Sequence, residues 1–529
     1  MDPRTPVLVG GGQLTLRDEP LAPTEMLAEA VLAAAVDAGA PSLAAALESI
    51  RVPKILSWRY RDPGALVAEL LGADLRHSVY TGDGGSHSQA LVNEAAADIA
   101  AGRLDVVVVG GAEAWRSRMA LKKQGLRPSW PSQDDDVVKA EHRPGVPMWD
   151  DTEMRAGLDR PAYVYPIFEQ ALRIAAGRSM AEHREHVARL WSRFSEVAAG
   201  NPYAWSPKRL SAEEIATVSP GNRMVAAPYP KLMNSNNFVD QAAAVIVCSV
   251  EAARRHGVPE DRWVFLRAGA EAADTAQIAA RGALHRSPAI RHAAATALAL
   301  AGVGVEELGP VDLYSCFPSA VQVAAAEIGL PLDDPERDLT ITGGLSFAGG
   351  PWNNYSTHAI AAMIGAVRET GRPGLVTANS GYLTKHAIGV YAPSPAGAEG
   401  SAGAAGSGVG TGSELRSGSA FAGSGSGSAF ARAGSGPGFV RADVQAAVDR
   451  EPTTRVTAAV AEPSDGVLEA WTVVYDRDGN PEQALAAVRL PDGSRTLARS
   501  TDPAYAAHLA THEAEGSAVT VAPDATLRP

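Results

Sequence analysis

Residues 81–113, TGDGGSHSQALVNEAAADIAAGRLDVVVVGGAE, limit the possible fold more than any other stretch. Gly82, Gly84 and Gly85 make a tight turn, and Ser86 or Ser88 is placed to cap a helix. Leu91, Ala95 and Ile99 recur every four residues and share one helical face, which Gly102 closes. Residues 106–109 are all valine, as suits a strand covered on both faces. A strand, turn, helix and strand in this order put the turn at the mouth of a parallel sheet, where helix amides favour negative charge.

A chain of 529 residues has room for several domains. Its net charge of −13 and lack of a long basic run argue against nucleic acid or an anionic membrane as a partner. Two cysteines, Cys248 and Cys316, form neither a disulfide framework nor a zinc site, and no cofactor is expected. With no apolar run near 18 residues and no charged leader, the reading is cytoplasmic.

Residues 6–9 read as a first strand ending in a plain glycine turn at Gly10, Gly11 and Gly12. The spacing is not that of a dinucleotide fingerprint. Helices follow over 23–39 and 63–71, with a strand near 50–56. Residues 115–160 are polar and irregular, whereas 161–200 are strongly helical, so an excursion covers the mouth of the sheet. Asp240 reads as structural and Cys248 as a small buried apolar group. The second half alternates again: strands over 263–268, 311–313, 374–377 and 387–391, and helices over 287–301 and 319–328.

Residues 394–436 are almost entirely Gly, Ser and Ala, with SGSAFA at 417–422 and 426–431, and read as a disordered linker. Phe421 and Phe430 are its only candidate docking points. Residues 438–529 read as all-β: strands over 456–460, 468–475, 484–490 and 494–498, hairpin turns at Asp478-Gly479 and Asp492-Gly493, and a helix over 503–513. Short strands over about ninety residues suggest a small barrel of the oligonucleotide/oligosaccharide-binding (OB) type.

The stretch 81–113 resembles the nucleophile loop and helix of the thiolase superfamily, in the branch near sterol-carrier-protein thiolases whose members are often named acetyl-CoA acetyltransferases. The resemblance implies an α/β fold, a duplicated αβαβα core with a helical lid, and places an OB-like domain at the C-terminus. It divides the chain into a first half (1–116, resumed at 226–262), a lid (117–225), a second half (263–393), the linker and the barrel (437–529). Lid residues Arg173, Arg178, Lys208, Arg209 and Arg223 are candidates for CoA phosphates, with solvated surface the simpler reading.

Four loops carry the family's chemistry, and each departs from it. Gly85 stands where the nucleophilic cysteine belongs, beside Ser86 and His87. In Leu313-Tyr314-Ser315-Cys316-Phe317, which resembles His-Asp-Cys-Phe, Tyr314 replaces the histidine. In Gly349-Gly350-Pro351, Gly350 replaces the catalytic histidine, with Asn353 and His358 following. In Asn379-Ser380-Gly381, Asn379 replaces the second cysteine, and Lys385 and His386 come after. Thiolysis needs a thiolate, a base that activates it and an oxyanion donor, so four losses together exclude the ordinary reaction.

The expectation is a CoA- or acyl-CoA-binding protein of lipid metabolism, with Ser86, His87, Asn353, Asn379 and Lys385 as ligand-binding candidates. A first rival keeps acyl transfer on a new set, Tyr314, Cys316, His358 and His386. A second makes the chain a scaffold that docks a protein through its C-terminal domain. The oligomeric state stays open, a homodimer included.

Overall fold

The computed structural model describes residues 1–18, 20–145, 148–395 and 438–529, together with the backbone of 431–436. The first half supplies β1 (Pro6–Thr15), β2 (Ser49–Val52), β3 (His77–Thr81), β4 (Val106–Ala114) and β5 (Glu141–Arg143). Two short strands, β6 (Met224–Ala226) and β7 (Tyr229–Pro230), follow where the lid ends, before β8 (Asp240–Ser249) joins the first half. The resulting sheet has the order β1-β8-β4-β2-β3-β5. β2 pairs in parallel with both β3 and β4, and β8 runs antiparallel between β4 and β1.

β9 (Phe265–Ala273), β10 (Val311–Asp312), β11 (Gly374–Ser380), β12 (Lys385–Ala392), β13 (Ala431–Gly436) and β14 (Phe439–Asp443) form a second sheet, ordered β10-β11-β12-β9-β14-β13. Helices His87–Ala100 and Tyr355–Thr370 lie between the two sheets. Pro23–Asp37 covers the outer face of the first sheet and Pro288–Ala301 that of the second, which gives the five layers of an αβαβα core. The valine run shows why a solid apolar strand is needed. Val106 and Val108 pack outward with Leu27 and Val31, while Val107 and Val109 pack inward with Leu91 and Ala95.

Three expectations need correction. Gly10, Gly11 and Gly12 do not turn the chain; they lie inside β1, which continues to Thr15. A Cβ on Gly10 or Gly12 would run into the carbonyl of Ala34 or Ala30 on helix Pro23–Asp37, and one on Gly11 would sit 2.8 Å from Ala361 Cα. The glycines let a strand lie between two helices at backbone distance. Next, residues 431–436, assigned above to the linker, form β13, and 439–443, assigned to the barrel, pair in parallel with β9 of the core. The rest of the linker, 396–430 with Phe421 and Phe430, lies outside the described residues. Last, residues 456–460 form no strand; only a single bridge joins Val456 to Arg495.

The C-terminal domain contains β15 (Ser464–Tyr475), β16 (Pro481–Arg489), β17 (Arg495–Ser500), helix Pro503–Thr511, β18 (Ala518–Val521) and β19 (Leu527–Arg528). Its sheet is ordered β17-β16-β15-β18-β19, and a bridge from Arg499 to Thr526 brings its two ends together. The short strands β6 and β7 add to this sheet through Ala226, opposite Val474. The domain also packs on the core and lid. Arg495 Nη1 donates to the Ala279 and Arg281 carbonyls, and Arg173 pairs with Glu515 at 2.7 Å. Among the described residues, no helix is long and apolar enough to cross a membrane.

Candidate functional site

β3 ends at Thr81, and helix His87–Ala100 begins after a loop held on one side by Lys54 and the Arg143 carbonyl, through Asp83 and the Gly82 amide, and on the other by the second half of the chain. Asn353 Oδ1 accepts the Gly84 amide at 3.0 Å, and its Nδ2 donates to the Lys54 carbonyl at 2.9 Å. Ser88 donates its hydroxyl to the Asn353 carbonyl rather than capping the helix. Ser86 occupies the cap position without a side-chain cap. Its amide donates to Ser380 Oγ at 2.7 Å, and the two hydroxyls lie 2.6 Å apart. A Cβ on Gly84, whose φ is +155°, would sit 2.8 Å from the His87 ring and 2.9 Å from Ser380 Oγ, so two side chains crowd around a bare backbone.

The neighbouring position is more crowded still. A Cβ on Gly85 would stand 2.5 Å from Tyr314 Oη and 2.7 Å from the Asn379 carbonyl oxygen. The hydroxyl of Tyr314 therefore fills the space that a side chain at 85 would need. At Gly350 nothing lies closer than 3.4 Å to such a Cβ, so a side chain has room there.

Tyr314, Asn379 and His386 line one cavity of about 10 Å³, the size of one water molecule. Cys316 Sγ lies 3.9 Å from Asn379 Nδ2. Burial pushes this thiol up to about 12, so it stays protonated at neutral pH. Burial likewise raises the Tyr314 phenol well above its ordinary value. The sequence reading missed Tyr165, on lid helix Pro161–Ala175. Its hydroxyl accepts from Asn379 Nδ2 and from the Leu383 amide, both at 3.0 Å, and its ring stacks on Phe317 with centroids 4.6 Å apart. Only a polar tip on an otherwise apolar stripe marks it in the sequence.

The two remaining histidines lie apart. His386 is buried in a polar cluster, 3.4 Å from Ser287 Oγ and 3.7 Å from Asp274 Oδ2. Asp274, although buried, is held down to about 2 by Arg281 and by bonds from His386 and Ser287. His358 faces a different cavity of about 10 Å³, beside Gln13 and Tyr355. Its Nδ1 bonds Gln13 Oε1 at 2.9 Å, its Nε2 has no partner among the described residues, and burial lowers the imidazole to about 3. The geometry thus joins Tyr314 with His386 and sets Cys316 beside Asn379, but leaves His358 outside. Lys385 is half-buried opposite Ser380 in the β11–β12 ladder, and desolvation lowers its ammonium to about 8. His87 is lowered by burial and then by Lys385.

A cleft of about 410 Å³ lies beyond Asp274, lined by Arg281, Arg286 and Arg291. Each of these arginines is paired to a carboxylate, Asp274, Glu327 and Glu451 respectively. Of the lid cations, Arg173 is buried against Glu515 and Arg209 pairs with Glu196. Arg178, Lys208 and Arg223 have no ion pair among the described residues. No group of three or more His, Cys, Asp or Glu that could hold a metal occurs among the described residues.

Two sheets around two shared helices, with four loops meeting at the head of one of them, define a thiolase-fold protein, and comparison with known proteins agrees. A crystal structure of a monomeric SCP2-thiolase like protein type 1 from Mycobacterium smegmatis is 32% identical, with a TM-score of 0.79 over 100% of this chain and 99% of that one. Residues 443–526 match the family model described as the thiolase-like protein type 1 additional C-terminal domain. The chain belongs to the SCP2-thiolase-like family of the thiolase superfamily. An acetyl-CoA acetyltransferase structure from Syntrophomonas wolfei shares the fold alone, at 15% identity and a TM-score of 0.53 over 74% of this chain and 99% of that one. The curated acetyl-CoA acetyltransferase of Methanocaldococcus jannaschii is 25% identical over 239 residues, 45% of this chain and 53% of that protein. The match therefore spans about half the length of that relative.

Proposed function

We propose that this protein binds a CoA thioester in a thiolase-type cleft and does not carry out the Cys-dependent thiolysis or condensation of that fold. The observation that carries the reading is the Tyr314 hydroxyl in the space of the absent side chain at Gly85. A protonated Cys316 and a neutral, remote His358 leave no thiolate–base pair to replace it. Family membership and the names of the curated relatives support CoA as the ligand class and lipid metabolism as the setting, with Asn379, Ser86, His87, Asn353 and Lys385 around the thioester and Arg178, Lys208 or Arg223 toward the phosphates. Two buried, unpaired cysteines suit a reducing cytoplasm. The ring of five strands, with a helix between the third and fourth, supports an OB-like description of the C-terminal domain. Its fold carries no ligand by itself.

The test pairs a calorimetric titration with acetyl-CoA and a thiolysis assay on acetoacetyl-CoA. Saturable heat with no turnover is expected. Ordinary turnover, or no binding at millimolar ligand, refutes the reading. One observation favours a second reading, acyl transfer relocated within the cleft: the Ser86–Ser380 hydroxyl pair lies beside a His87 imidazole whose pKa is lowered. That reading requires thioester hydrolysis that Ser86→Ala and Ser380→Ala both abolish.

A further inference from the structure

Between the lid and the C-terminal domain lies a cavity of about 210 Å³, separate from the four loops. Trp471, Val473, Leu509 and Pro228 give it apolar walls. Their polar neighbours are already used: the Trp471 indole N–H donates to the Leu509 carbonyl and the Thr472 hydroxyl to the Ala227 carbonyl. The exception is Gln170, which is 6% exposed. Its Oε1 accepts from Arg173 Nε at 3.2 Å, which fixes the amide orientation, because a flipped amide would set donor against donor. The Nε2 group that remains is itself buried and has no acceptor among the described residues. A buried donor without a partner costs about 1–3 kcal/mol, so it marks a place where an acceptor belongs. At the mouth stands Arg184, an exposed lining residue that makes no ion pair among the described residues and lies close enough to Tyr475 to stabilise its phenolate.

We infer that this cavity binds a small carboxylic acid with an apolar body, its tail against Trp471 and Val473, one carboxylate oxygen on Gln170 Nε2 and its charge facing Arg184. The volume sets the size. A cavity of roughly 150 Å³ holds benzene, so this one takes roughly eight to ten non-hydrogen atoms. A CoA thioester is too large, and the inference stands whether or not the thiolase-type cleft binds one. Because the walls come from both the lid and the C-terminal domain, an occupant ties the two together and stabilises the whole chain by mass action.

The experiment uses the full chain, with octanoate as the probe and octanamide as its neutral counterpart, followed by calorimetry and by the melting temperature. Octanoate is expected to bind saturably below millimolar concentration and to raise the melting temperature, and octanamide to bind several-fold more weakly. Gln170→Leu is expected to weaken octanoate about tenfold. Ala510→Phe fills the rim from a half-exposed position at the edge of the domain's core and is expected to abolish binding. Arg184→Ala is expected to weaken octanoate and leave octanamide unchanged. No octanoate binding at millimolar concentration, binding that Ala510→Phe does not alter, or octanamide bound as tightly as octanoate each overturns the assignment.

Discussion

Placing a side chain back at position 85 brings its Cβ to 2.5 Å from Tyr314 Oη, so positions 85 and 314 act as one unit. Gly85→Cys alone is expected to destabilise the fold by about 1–3 kcal/mol through overpacking. Tyr314→Phe removes the hydroxyl and should return part of that loss, though not all, because the Asn379 carbonyl remains 2.7 Å away. Urea unfolding of the two single variants and the double variant measures the coupling, and strictly additive changes would contradict the account. His358 provides a pH prediction at the same scale. Its imidazole is about 3 in the folded state against about 6.5 unfolded, so below pH 6.5 the unfolded chain takes up a proton that the folded one refuses. The stability is fully present above pH 6.5 and is lost progressively as pH falls toward 3. His358→Asn keeps a donor for Gln13 and removes the titration. From pH 6.5 to 5 it should lose about 2 kcal/mol less stability than the parent, read from urea midpoints. The sequence showed which residues stand in the four loops but not how they pack against one another. That Tyr314 fills the place of residue 85, or that Tyr165 and Ser380 enter the site, depends on loops and a lid helix far apart in the chain.

At the scale of elements, periodicity was a good guide wherever one face of a segment meets a core. Helix Pro63–Leu71 and the burial of Leu91, Ala95 and Ile99 were legible for that reason. Gly10–Gly12 were misread because glycine carries two signals, freedom to turn and absence of bulk, and local sequence does not separate them. Only the packed helices decide it. At Gly12 a Cβ would strike the Ala30 carbonyl and sit 2.6 Å from the Ala34 amide, and neither is a side chain that can move aside. Gly12→Ala is therefore expected to cost at least about 2 kcal/mol or to prevent folding. Gly365→Ala is the contrasting variant. This residue lies exposed inside helix Tyr355–Thr370 with nothing within 4 Å of its Cβ, so it should gain about 0.5–1 kcal/mol. Opposite shifts in melting temperature are the expected pattern, and a tolerated Gly12→Ala would show that strand and helix are not at backbone distance.

At the scale of the whole molecule, composition marked the Gly/Ser/Ala tract but not where the C-terminal domain begins. A strand of five residues resembles any other in sequence, and its partner is set by the open edge of β9, some 170 residues earlier in the chain. The chain returns first to the core as β14, next bridges Thr453 to Arg281, and only then builds the barrel. Two truncations separate these contributions. Ending the chain after residue 454 removes the barrel, leaves Arg173 without Glu515 and exposes the lid face, but keeps β14 on β9 and the Glu451 pairs to Arg291 and His292. Ending it after residue 437 also strips Phe439, buried between the sheets, and the ion pair from Arg441 to Glu271. The longer form is expected to fold with a lowered melting temperature. The shorter should melt several degrees lower still and aggregate through the bared edge of β9. Equal melting temperatures would mean that 438–454 belongs energetically to the barrel, and would return the domain boundary to residue 437.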